Sequence, residues 1–181
     1  MTDSLFRTLA NGTRWMSAAC LAVSVFLFAA ALCLLTADIV LRYAFDHPLQ
    51  GVGEAVTIAF IYIYLFGGAA LYARNEDIAL DYLFRKAGIG IQALWLLAIY
   101  LAIAATMAVT FVETLKLIDV QRNVLTPSLR LPLGIEPAAL AVAAAIIFYS
   151  SAVEAIGCWI WFRSGTRPVV FEPRAEASFG D

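Results

Sequence analysis

Four long stretches of this chain carry no formal charge, and each is long enough to cross a bilayer: residues 16–37, 55–73, 87–112 and 137–153, the last resuming beyond Glu154 as far as residue 162. As helices, the first would extend about 33 Å and the third about 39 Å, against a hydrocarbon core of about 30 Å. The third must therefore tilt or project beyond the core. Backbone polar groups in lipid need partners within the protein, and these blocks lack the apolar/polar alternation of barrel strands, so helices are the form they must take. Composition agrees: 62% of the 181 residues are apolar and only 14% charged, where an average soluble domain is about 25% charged.

The expected fold is an all-α membrane protein of four transmembrane helices with short connections. Residues 1–14 form a polar lead in which Leu5 and Leu9 could share an interfacial face, interrupted at Asn11 and Gly12. Residues 15–162 form a single four-helix membrane domain, with spans near 16–39, 54–73, 88–112 and 137–162, and residues 163–181 form a tail. The first span is too long for the apolar core of a signal peptide and reads as a retained helix. His47-Pro48, Gly51 and Gly53 break the chain between the first two spans, and Pro127 and Pro132 stop regular helix before the fourth, while Pro137 suits its first turn. The second connection, residues 74–86, mixes charges with Ile78, Leu80, Leu83 and Phe84 and reads as an amphipathic surface turn.

The cations give an orientation. Arg7 and Arg14 precede the first span, Arg74, Arg85 and Lys86 follow the second, and Arg163, Arg167 and Arg174 follow the fourth; the other side has Arg42, Lys116, Arg122 and Arg130. Eight against four predicts cytoplasmic N- and C-termini by the positive-inside rule, with the first and third connections outside.

Few residues here suit catalysis. His47, the single histidine, sits in a connection, so a bis-histidine haem site or an HExxH zinc cluster cannot be built, and no phosphate-binding GxxxxGK[ST] loop occurs. Cys20 and Cys33 lie about 20 Å apart along one helix, too far for a disulfide, and with Cys158 read as packing residues. No cofactor and no nucleic-acid partner is expected; membrane lipid is.

An ionisable group at helix depth is costly, so those present need a reason. Asp38 and Arg42 are spaced i,i+4 at the end of the first span, which permits an ion pair, and Glu54 opens the second span where it too could meet Arg42. These three predict a cluster that joins the first two helices or meets a partner subunit; interfacial snorkelling is the plainer alternative. Glu113 reads as the end of the third helix. Glu154 reads as a solvated carboxylate near the end of the fourth or a polar contact to another helix, followed by interfacial Trp159 and Trp161. Gly67-Gly68-Ala69-Ala70, and the alanines between 138 and 145, offer small faces for close helix approach.

Taken in order, Val40-Leu41-Arg42-Tyr43, Glu54, Leu65-Phe66-Gly67-Gly68-Ala69-Ala70, Arg74, Ile78 to Asp81, Thr126-Pro127-Ser128-Leu129 and Leu131-Pro132 resemble the small membrane subunit of tripartite ATP-independent periplasmic (TRAP) transporters, the DctQ family. The resemblance covers roughly residues 20–160. Asp77 departs from it, standing where the family commonly has histidine. The resemblance implies a non-catalytic scaffold in the bacterial inner membrane, paired with a large multi-span permease subunit and a periplasmic solute-binding protein, for ion-gradient-driven uptake of a small organic acid. On that basis Asp38, Arg42, Glu54, Gly67, Gly68, Arg74, Asp81 and Pro132 are candidate structural or subunit-interface residues, and Arg122 and Arg130 candidate contacts for the binding protein. A competing reading is an independent homo-oligomeric channel or proton-coupled exporter using Glu154 or Glu54; it predicts flux through the isolated chain.

Overall fold

The structure, a computed structural model, describes residues 2–74 and 89–164. These form four helices: α1 (Thr2–Ala44), α2 (Val52–Ala73), α3 (Ile89–Gln121) and α4 (Ile135–Ser164). Each contains a segment long and apolar enough to cross a membrane, which makes the chain a multi-pass membrane protein. The amphipathic second connection and the tail from residue 165 lie outside the described residues, and with them Asp77 and Asp81.

The boundaries differ from the sequence expectation in two main places. α1 runs without a break through Asn11 and Gly12. Gly12 lies close against α4, where a Cβ would stand 3.1 Å from the Tyr149 hydroxyl. The helix ends where Asp46 takes φ 52° and His47 precedes Pro48, a position that disfavours helical backbone. α3 does not stop at Glu113 but continues two further turns to Gln121. Nothing in residues 113–121 breaks a helix, and Glu113–Lys116 (2.7 Å) and Asp119–Arg122 (3.4 Å) form i,i+3 pairs along its exposed side. α4 begins at Ile135, with Pro137 in its first turn as expected.

The packing is uneven. α1, α2 and α4 form a three-helix unit, while the substantial contact of α3 is with α4 alone. Where α1, α2 and α4 meet, small side chains dominate the contact: Cys20, Ala69, Ala70 and Ala143 are buried beside Ile146, with Met16, Leu21, Leu65, Phe66 and Ile147 around them. Lipid chains are as apolar as leucine, so such helices associate through close packing rather than through exclusion of water, and small residues permit the approach. α4 is accordingly the internal helix, with 56% of its most apolar stretch buried, against 6% in α3.

Polar ties complete the packing. Ser24 of α1 donates to the Ile63 carbonyl (3.3 Å), Tyr62 of α2 donates to the Ile135 carbonyl (2.8 Å), and the hydroxyls of Tyr72 and Ser151 share a hydrogen bond of 2.8 Å. At the joint between α3 and α4, Gly134 lets the chains close up, since a Cβ there would stand 3.2 Å from the Ile118 carbonyl oxygen.

Candidate functional site

The end of the bundle where α1 finishes and α2 begins carries most of the sequence-predicted residues. The antiparallel helices place the α1–α2 connection and the α3–α4 connection side by side there. The expected three-residue cluster is present as two separate polar clamps.

The first clamp is Asp38 with Arg42. The Arg42 guanidinium donates to Oδ2 of Asp38 at 2.6 Å, and the other carboxylate oxygen accepts the Leu49 backbone N–H at 3.0 Å. The Asp38 side chain is 8% exposed and that of Arg42 56%. The buried acid thus holds the connection against α1, while the cation reaches outward from a partly apolar stem. Arg42 also lies in the last turn of α1, where a cation favours the helix dipole.

The second clamp corrects an expectation: Glu54 does not pair with Arg42. Its Oε2 accepts the backbone N–H groups of Ser128 (3.1 Å) and Leu129 (2.8 Å), and the Thr126 hydroxyl turns to the same carboxylate. The segment it holds is a short hairpin. Thr126 N–H donates to the Leu131 carbonyl (2.8 Å), Leu133 N–H to the Val124 carbonyl (2.7 Å), and Leu131 N–H to Thr126 Oγ1 (3.0 Å), around a bridge between Leu125 and Pro132. Arg130 completes the tip at φ 52°. Gly51 makes the docking close. It takes φ 83°, which favours glycine, and a Cβ on it would meet Leu129 Cδ2 at 2.7 Å and Ser128 Oγ at 3.1 Å.

The geometry predicts that Glu54→Ala frees the hairpin, whereas Glu54→Gln retains one acceptor and loosens it less. Hydrogen exchange at Ser128 and Leu129 should accelerate strongly in the alanine variant and modestly in the glutamine variant. Equal exchange in wild type and Glu54→Ala would reject the clamp.

Of the remaining candidates, Pro132, Arg122 and Arg130 lie at this same end, and Gly67, Gly68 and Arg74 elsewhere. Pro132 is the bridge residue of the hairpin, and its carbonyl accepts the Ile135 N–H that starts α4. Gly67 faces Ser24 across the α1–α2 contact, whereas Gly68 opens outward with nothing near it. Arg74 caps the C-terminus of α2, its N–H reaching the carbonyls of Leu71 and Tyr72. Arg122 sits exposed beyond α3 beside Asp119, and Arg130 lies exposed at the hairpin tip.

Two residues near the opposite end lie deeper than the sequence suggested. Glu154 is 9% exposed and not solvated, on the internal helix α4, and Trp161 is buried while Trp159 faces outward. Cys20 and Cys158 are buried as packing residues; Cys33 faces outward.

These features define a helical membrane protein in which polar clamps fasten the α1–α2 connection and the α3–α4 hairpin, and whose flanking helices expose wide apolar faces. The model of the DctQ component of tripartite ATP-independent periplasmic transporters matches residues 31–160, and the chain belongs to that family. The family is a transporter component that works with a large permease and a periplasmic binding protein. None of the curated proteins compared with the chain matches it.

Proposed function

We propose that this protein is the small permease subunit of a TRAP-type secondary transporter in the bacterial inner membrane, with both termini cytoplasmic. It acts as a fixed scaffold for a large permease subunit that contains the transport pathway. Uptake is driven by an ion gradient and fed by a periplasmic binding protein, and its cargo is a small organic acid. The observation that carries this reading is the family match laid over a helix layer in which α4 is enclosed while α3 packs on α4 alone and leaves its outward face uncovered. A subunit that widens another protein's fixed framework needs such faces and tightly fastened ends.

Affinity purification of the tagged chain from native membranes tests the assignment. A much larger polytopic protein should be recovered in near-equal amount; recovery of this chain alone would contradict it.

Arg122 and Arg130, exposed at the Glu54 end of the bundle, are the proposed contacts for the binding protein. Reversing both charges, Arg122→Glu with Arg130→Glu, should weaken docking measurably and make it less sensitive to salt. Unchanged docking would remove both residues from that role.

A further inference from the structure

The outward faces of the helices are not equivalent, and their polar atoms show the difference. A hydroxyl within a span needs an acceptor in protein, because hydrocarbon offers none. On α3, Thr106 and Thr110 donate to the carbonyls of Ala102 and Thr106, each at 2.9 Å, and on α1 Thr36 donates to the Leu32 carbonyl at 2.8 Å. These hydroxyls are satisfied within their own helices, so the surfaces around them suit acyl chains.

α2 differs. Thr57, Phe60, Tyr64, Gly68 and Leu71 are all exposed, at the three- and four-residue spacing of a seam on which another helix packs. Thr57 is satisfied internally, donating to the Gly53 carbonyl at 2.8 Å. Tyr64 is not. It is 82% exposed, and its hydroxyl meets no hydrogen-bond partner in the chain. α2 has 22 residues, which places Tyr64 about 18 Å along the axis from its first residue and about 14 Å from its last. The phenol hydroxyl thus lies deep in the hydrocarbon, out of reach of either surface. One turn further along, Gly68 leaves a notch, since nothing lies within 4 Å of a Cβ built there. Glycine weakens a helix interior relative to alanine and adds nothing to a lipid contact, whereas it lets a neighbouring helix approach closely.

An unsatisfied donor beside a notch is half of a helix–helix contact. A second copy does not supply the other half. A twofold axis along the membrane normal would set Phe60 and Tyr64 against the same rings and leave Gly68 facing Gly68 across a gap. We infer that the Tyr64–Gly68 face of α2, rather than the apolar face of α3, receives a transmembrane helix of the large permease subunit. That helix offers an acceptor opposite Tyr64, a side-chain oxygen or a freed backbone carbonyl, and a bulky side chain for the Gly68 notch. The outward face of α3 then meets lipid. This rests on the proposed pairing with a large subunit and adds where, and by what chemistry, the two meet.

The test compares tagged wild-type chain with Gly68→Leu, Tyr64→Phe and, on the exposed side of α3, Ala105→Leu, each purified from native membranes. The co-recovered large subunit is identified and quantified by mass spectrometry. Gly68→Leu should lower its recovery about tenfold, as overpacking of a close contact does. Tyr64→Phe should lower it about threefold, in line with one interhelical hydrogen bond. Ala105→Leu should leave it unchanged. All three positions are exposed, so the thermal transition of the chain alone should not fall, which separates lost pairing from misfolding. Photo-crosslinking from p-benzoylphenylalanine at Phe60 or Leu71 should capture the large subunit, and from Val109 on α3 should not. Unchanged recovery in both α2 variants, crosslinks from Val109 alone, or crosslinks from α2 only to a second copy would overturn the inference while leaving the pairing intact. Absence of a large subunit from the wild-type preparation would instead overturn the pairing itself.

Discussion

Ala143→Leu should sharply reduce the yield of monodisperse protein and lower its thermal transition in detergent. Ala143 is 2% exposed and lies where α4 meets Ala69, Ala70 and Cys20. Three additional carbons have nowhere to go except between helices whose association depends on close approach. Overpacking of a filled interior typically costs about 1–3 kcal/mol, occasionally more. The effect belongs to position rather than to composition. Ala145, two residues away on the exposed side of α4, should accept leucine with little change. Equal loss in Ala143→Leu and Ala145→Leu, or in neither, would deny α4 its internal place. Because α4 joins α3 to the three-helix unit, the buried variant should also lose recovery of the large subunit.

The second large effect is expected at Asp38. Asp38→Ala removes the acceptor that holds Leu49 and leaves Arg42 without its anion. A hydrogen bond to a charged, buried acceptor contributes about 1.5–3 kcal/mol. The Arg42 contact adds less, about 0.5–1 kcal/mol, since that side chain is more than half exposed to screening. A loss of about 2–3 kcal/mol follows for Asp38→Ala, less for Asp38→Asn, which keeps the Leu49 bond. Arg42→Ala should cost about 1–2 kcal/mol, because the buried carboxylate then keeps one partner. The double variant should be scarcely worse than Asp38→Ala, and recovery of the complex should fall in the same order. Full additivity of the two single losses would show that the residues do not act as a pair.

Such pairs separate what local sequence reveals from what it cannot. Asp38 and Arg42 were legible because i,i+4 spacing alone puts them together on a helix. The four spans were legible for an equally local reason, since length and the absence of charge within a block need no knowledge of neighbours. The partner of Glu54 was not legible. It lies 74 residues away in sequence, on a hairpin whose own signal is weak because Pro127 and Pro132 announce only that helix stops. The extension of α3 past Glu113 is hidden because a charge resembles a boundary, although residues 113–121 contain no helix breaker and Glu113 pairs with Lys116. Small residues are visible in sequence as a class, yet Gly67 turns toward α1 and Gly68 away from it. Rotation about the helix axis, set by tertiary packing, decides between them. Glu154 and Trp161 show the same limit at the other end, where an interfacial pattern belongs to the enclosed helix.

The scaffold reading is most directly tested by flux. The purified chain is reconstituted into sealed liposomes with an imposed sodium or proton gradient, with and without the large permease subunit, and radiolabelled small organic acids and sodium are followed. Vesicles containing this chain alone should match protein-free vesicles, and uptake should appear only when the large subunit and its binding protein are added. Gradient-driven accumulation or leak through the chain alone, absent from protein-free vesicles, would contradict the account.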